Sequence, residues 1–151
     1  MRLRSYHPDD LQTLYDIDQV CFVPGISYTR EELTAFIGHR RSQTWVAEEA
    51  GEITGFLIAL REPRSTLHII TIDVLQAWRR SGVGSLLMEA AEQWAYDHGL
   101  RTIELETAQD NFVAQKFYQA RGYCKVDEIA QYYADGTAAW VMVKELAEEV
   151  L

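Results

Sequence analysis

The stretch Ala77-Trp78-Arg79-Arg80-Ser81-Gly82-Val83-Gly84-Ser85-Leu86-Leu87-Met88 constrains this chain more than any other. It comes after an apolar run predicted to be a strand over residues 67–75. It opens a helix whose apolar face is marked by Leu86, Leu87, Ala90, Ala91 and Trp94, and which His98-Gly99 ends. Gly82 and Gly84 let the backbone turn tightly and let amides crowd around a ligand. A helix N-terminus presents N–H groups ahead of the helical ladder, and Arg79 and Arg80 add two cations to the positive end of the helix dipole. Val83, Gly84 and Ser85 are thereby placed to hold an anion such as a pyrophosphate. A strand feeding such a loop and a long amphipathic helix belongs to a mixed architecture of sheet and helix.

The remaining pattern agrees. Residues 1–5 read as a strand. A helix is predicted to start near Pro8-Asp9-Asp10, with Leu11, Leu14, Tyr15 and Asp18 at helical spacing, until Val23-Pro24-Gly25 breaks it. Thr29 followed by Glu31-Glu32 reads as an N-cap and acidic first turn of a second helix, running through Phe36-Ile37 to Gly38. Strands are predicted over residues 43–48 and 54–61, joined at Ala50-Gly51, with a loop over residues 62–65. A further strand is predicted over residues 102–107 and a helix over residues 111–121, and residues 145–151 read as a solvated tail. Trp45, Trp78, Trp94 and Trp140 read as core or surface cover.

A length of 151 residues with 48% apolar content suits one domain, residues 1–151, with a sizeable core. The net charge of −9 disfavours a nucleic-acid partner, which needs cations against phosphate, and suits a cationic substrate. No apolar run approaches the roughly 20 residues of a membrane span, and MRLRSYHPDD lacks the apolar stretch of a secretory signal. A cytoplasmic location, no membrane partner, and a monomer or homodimer are expected. Cys21 and Cys124 lie far apart without metal-ligand spacing, so reduced structural thiols and no metal are expected.

A second segment runs Ile103-Glu104-Leu105-Glu106-Thr107-Ala108-Gln109-Asp110-Asn111-Phe112-Val113-Ala114-Gln115-Lys116-Phe117-Tyr118. With it the chain resembles the GCN5-related N-acetyltransferases. Arg79-Arg80-Ser81-Gly82-Val83-Gly84 matches that family's acetyl-CoA loop, and Asn111-x-x-Ala114-x-x-x-Tyr118 with Arg121-Gly122-Tyr123 matches its second motif. Within the family the chain is most similar to the ribosomal-protein alanine acetyltransferases. That likeness is carried by Glu106 five residues before Asn111 and by Gln131-Tyr132-Tyr133-Ala134-Asp135-Gly136.

The resemblance implies an α+β fold, the acyl-CoA N-acyltransferase fold, with a mostly antiparallel sheet of about seven strands and about four flanking helices. It implies acetyl-CoA held at Ile72, Asp73 and Val74, at Arg79, Arg80, Ser81, Gly82, Val83, Gly84 and Ser85, and at Asn111, Ala114, Phe117 and Tyr118. An amine acceptor is implied near Phe22, Ile26, Tyr28, Tyr132 and Tyr133. An ammonium must lose a proton before its lone pair can attack a thioester, so a general base is required. The family likeness assigns Glu106 that role, with Glu104 on the same side of the strand as a rival and His68 as an alternative base or a structural histidine. Tyr118 by itself reads as core; the resemblance makes it the acid for the leaving thiolate. Asn111 reads as a helix cap with or without cofactor contact. The departures at Gln131, Ala134 and the 22–28 loop leave the acceptor open between a protein or peptide N-terminus and a small amine such as a polyamine, amino acid or drug. A non-catalytic acetyl-CoA-binding module is the remaining alternative.

Overall fold

In the computed structural model, which describes residues 1–146, the chain runs β1 (Arg2–Ser5), α1 (Leu11–Cys21), α2 (Arg30–Gly38), β2 (Ser42–Glu49), β3 (Glu52–Glu62), β4 (Thr66–Val74), α3 (Val83–Asp97), β5 (Thr102–Ala108), α4 (Phe112–Ala120), β6 (Cys124–Ile129) and β7 (Ala139–Glu145). The strands form one sheet in the order β1-β2-β3-β4-β5-β7-β6. Every neighbouring pair is antiparallel except β4 and β5. A parallel pair needs a long crossover, and α3 supplies it. The chain therefore has the α+β fold expected of it, and no helix among the described residues is long and apolar enough to cross a membrane.

Helix packing tracks the apolar spacing. Leu14 and Ile17 of α1 and Leu33 of α2 meet Phe56 and Ile58 on one face of the sheet. Leu87, Met88 and Ala91 of α3 meet Leu57, Leu67, Ile103 and Leu105 on the other. Each such buried Leu, Ile, Phe or Met side chain stabilises the fold by about 1.5–3 kcal/mol. Thr29 caps α2 as its sequence indicates: its hydroxyl accepts the Glu32 N–H while the Glu32 carboxylate accepts the Thr29 N–H.

Two expectations are corrected. The segment Pro8–Asp10 is a short 3-10 turn, and α1 starts only at Leu11. Asp10 explains the offset, because its carboxylate accepts the His7 N–H and pairs with Arg4, closing a turn before the helix. Residue 145 is no tail: Glu145 ends β7 opposite Thr102, and the Leu146 N–H donates to the Arg101 carbonyl at 2.8 Å while its side chain packs on the core. The rest of the expected tail, residues 147–151, lies outside the described residues.

Two irregularities of β4 create an opening in the sheet. The register against β3 shifts between Ile58 and Ala59, which pair with Thr71 and Ile69, so Ile70 is an extra residue. A bulge of this kind reverses which side chains face which layer. Leu67 and Ile69 lie in the core under α3, Ile70 packs into the cluster under α1 and α2, and Ile72 and Val74 return to the α3 side. The parallel ladder to β5 ends at Ile69 opposite Leu105. Beyond it β4 continues beside β3 alone and β5 beside β7 alone, so a notch opens between residues 70–74 and 106–108.

Candidate active site

One wall of the notch leads into the Gly-rich loop. Arg80 and Gly82 both take left-handed backbone, at φ 66° and 85°. The first helical hydrogen bond of α3 is donated by the Leu86 N–H to the Gly82 carbonyl at 2.9 Å, so the amides of Val83, Gly84 and Ser85 lie ahead of the ladder. No side chain caps this end and its first turn holds no acidic residue. A Cβ on Gly84 would stand 3.3 Å from the Phe117 ring, so glycine there allows α3 to lie close against α4. Arg79 and Arg80 are both exposed, and the Arg79 Nε–H donates to the Val74 carbonyl at 3.0 Å. This cradle of unengaged amides, positive dipole and two cations fits a pyrophosphate.

The other wall carries β5 and α4. Asn111 caps α4, its side-chain oxygen accepting the Ala114 N–H at 3.1 Å. Tyr118 is 7% exposed, packed edge-on against Phe117 and Tyr123. Burial, with the negative potential of Asp73, pushes its phenol well above its ordinary pKa. Arg121 and Tyr123 of the second motif point elsewhere. The guanidinium and the hydroxyl each donate to Glu92 of α3 at 2.8 Å, with the Lys144 ammonium at 3.3 Å.

On the α1/α2 side of the sheet lies a cavity of about 220 Å³ lined by Tyr28, Phe36, Leu60, Glu62, His68, Ile69, Ile70, Glu106, Tyr132 and Tyr133. His68 faces Glu104 across the parallel ladder, and its ring reaches diagonally to Glu106. Its Nε2 lies 2.7 Å and 2.9 Å from the two Glu106 oxygens and its Nδ1 lies 2.9 Å from Glu62. Burial alone would lower the His68 pKa, but the hydrogen bonds and charge of Glu106 and then Glu62 overcome it and lift it to about 9. His68 is therefore an imidazolium at neutral pH, donating through both nitrogens. The Tyr132 hydroxyl donates to Glu106 at 2.9 Å.

Tyr28, Tyr132, Tyr133 and Glu106 thus meet at one cavity, while Phe22 and Ile26 are not on its lining. Ile72, Asp73 and Val74 stand at the end of β4, but the Asp73 side chain is 1% exposed and turned to the α1 side. Phe36, Leu60, Glu62 and Ile70 were not among the site residues expected from the sequence. Of these, Ile70 alone shares the two-residue period of a strand with His68, and no local pattern ties Phe36, Leu60 or Glu62 to the site. A larger groove of about 650 Å³, on the outer side of α3 between Leu3, Leu86, Tyr96 and Leu146, holds no residue of either motif.

The loop over residues 22–29 and the loop over residues 130–138 are stitched at the mouth of the cavity. The Ala134 N–H donates to the Gly25 carbonyl at 3.1 Å, and a Cβ on Gly25 would come within 2.9 Å of the Asp135 Cβ. At φ 93°, Gly25 is required both by its backbone and by this approach.

Comparison with known proteins agrees with this geometry. Residues 11–123 match the model of the acetyltransferase (GNAT) family. An uncharacterized N-acetyltransferase of Methanocaldococcus jannaschii, MJ1530, is 26% identical over 146 residues, covering 96% of this chain and 92% of its own length. The N-alpha-acetyltransferase of Sulfurisphaera tokodaii is 27% identical over 160 residues, covering 96% and 93%. The crystal structure of the ribosomal-protein-S18-alanine N-acetyltransferase from Escherichia coli superposes with a TM-score of 0.87 at 20% identity over 99% of this chain and 96% of that one, a likeness of fold. With the cradle of free amides, the open notch and the match to the family model, the chain is an N-acetyltransferase and belongs to the GNAT family.

Proposed function

We propose that the chain transfers the acetyl group of acetyl-CoA to the α-amine of a protein or peptide N-terminus, with Glu106 as general base and Tyr118 as general acid. The observation that carries this reading is the position of Glu106, at the β5 lip of the notch and on the wall of an apolar-sided cavity closed by Tyr28, Tyr132 and Tyr133. The archaeal N-alpha-acetyltransferase relative supports the acceptor class.

The amides of Val83, Gly84 and Ser85 would hold the pyrophosphate, with Arg79 and Arg80 beside it, and acetyl-CoA supplies the thioester. The open edge of residues 72–74 offers backbone N–H groups to the oxyanion. An α-amine has a pKa of about 7.7–8.0, so near neutrality much of it still carries the proton that blocks attack. Glu106 takes that proton, directly or through one water. His68 cannot do so, because at neutral pH it is already protonated; it holds the Glu106 carboxylate in place, as Tyr132 does. Tyr118, kept protonated by burial, gives its proton to the departing sulfur.

Competition between N-terminal peptides and small amines for acetyl transfer tests the acceptor. A set of peptides varied at the first two residues should outcompete polyamines, and Glu106→Gln should lower the peptide rate most near neutrality and recover partly at alkaline pH, where deprotonated amine is already present. A polyamine that outcompetes every peptide would replace the acceptor class, and a loss that is flat with pH would remove Glu106 as the base.

A further inference from the structure

Two carboxyl groups that acetyl transfer does not use meet in the core below the site. Asp18 of α1 is 0% exposed and Asp73 of β4 is 1% exposed. One oxygen of each has a partner: Asp18 Oδ2 accepts the Tyr28 N–H at 2.7 Å, and Asp73 Oδ1 accepts the Thr71 hydroxyl. The remaining oxygens, Asp18 Oδ1 and Asp73 Oδ2, are buried without a hydrogen-bond partner, and the two carboxyl groups are close enough that each alters the other's hold on a proton. Two bare carboxylates would repel across that gap, whereas one proton between them gives a short, charge-assisted hydrogen bond.

The groups facing the pair come from every packed element. Cys21 lies on α1, Tyr28 on the loop, Glu32 on α2, Thr71 on β4, Arg79 after β4 and Tyr118 on α4. Arg79 is the one cation among them, and it is exposed with its Nε–H spent on the Val74 carbonyl. Burial, and then the hydrogen bond and charge of Asp18, hold Asp73 well above the usual carboxylate range.

We propose that Asp73 and Asp18 share a single proton and act as positioning residues, latching the 22–29 loop to the end of β4 and releasing it when that proton is lost. The mechanical path is short. The Asp18 carboxylate anchors the Tyr28 amide, the Tyr28 ring lines the cavity, and its hydroxyl donates to the Ile70 carbonyl at 3.3 Å. Loss of the proton to bulk base leaves two facing anions, one on the helix that carries the loop and one on the strand beneath it. The direction of the shift sets the sign. A carboxyl whose pKa is raised on folding contributes stability that is present below the ordinary carboxylate range and is lost as pH rises through the raised value.

The test reads the loop itself, without acetyl-CoA or acceptor, so failure of the acceptor assignment leaves it intact. Carboxyl-carbon NMR follows Asp18 and Asp73 across pH, and amide hydrogen exchange, normalised for intrinsic rate, follows the Tyr28 N–H. One carboxyl should stay protonated at neutral pH, and Tyr28 protection should fall about tenfold or more across its titration. In Asp73→Asn the amide still donates to Asp18 and accepts from Thr71 but does not titrate, so protection should stay flat with pH. Both carboxyls ionised at neutral pH would overturn the proposal in the wild-type protein alone. So would a Tyr28 protection that ignores the titration, or one that falls equally in Asp73→Asn.

Discussion

Tyr118 shows how one residue's surroundings decide its chemistry. On a helix, a tyrosine with 7% exposure reads first as packing, and its two edge-on aromatic neighbours agree. The same burial keeps its proton in place at any physiological pH, which is what a donor to a thiolate needs. Tyr118→Phe retains the ring contacts and loses only the hydroxyl. Cofactor affinity should therefore stay close to wild type in calorimetry while turnover falls about 10²-fold or more; a drop of only a few-fold would assign the ring to packing. At this scale the sequence was only partly legible. Glu106 and Tyr118 stood out through motif spacing, but the ion pair of His68 with Glu106 spans 38 positions and depends on a parallel register that no local pattern announces. Asp18 was hidden differently, because its helical spacing with Leu11 and Leu14 reads as an ordinary apolar stripe.

At the scale of elements, strong local signals fixed the helices and weak ones blurred their edges. The Thr29 cap, the His98-Gly99 stop and the glycines before α3 each specify a backbone geometry, and the structure has α2 and α3 where they fall. The bulge in β4 has no such signature. Ile69, Ile70 and Ile72 are all apolar and give no hint of which one is extra, although that residue decides whether Asp73 faces α1 or α3. The Gly-rich loop allows a direct test of what its glycines do. Gly84→Val would force side-chain atoms into Phe117 and into the space before the free amides. Acetyl-CoA affinity should fall at least about tenfold by calorimetry while circular dichroism stays native; unchanged affinity would remove the amides of 83–85 as the pyrophosphate site.

Across the whole molecule, the second motif divides between the notch and the packing of the fold. Asn111 caps α4 and Tyr118 lies beside the notch, but Arg121 and Tyr123 meet Lys144 at Glu92, joining α3, the turn after α4 and β7. Glu92 is 12% exposed and Arg121 16%, so the cluster is largely out of water. Glu92→Ala leaves two cations and a buried phenol without their shared acceptor, and thermal or urea unfolding should show a loss of about 3 kcal/mol. A loss below about 0.5 kcal/mol would mean that water replaces the carboxylate at little penalty. The sequence resemblance covers this segment as one motif; only the three-dimensional arrangement separates Arg121 and Tyr123, which tie elements together, from Asn111 and Tyr118 beside the notch.

The short parallel ladder between β4 and β5 is also the place where two antiparallel ribbons of the sheet meet. Residues up to Val74 form one antiparallel ribbon and residues from Thr102 another, and just four residue pairs, Thr66↔Thr102 to Ile69↔Leu105, join them edge to edge. Few backbone hydrogen bonds cross this seam, so the ribbons are held together chiefly by the core under α3, where Leu57 and Leu67 of one meet Ile103 and Leu105 of the other. A molecule bridging the lips of the notch therefore adds a link where the two ribbons share no ladder, so occupancy of the site should raise the resistance of the whole chain to proteolysis.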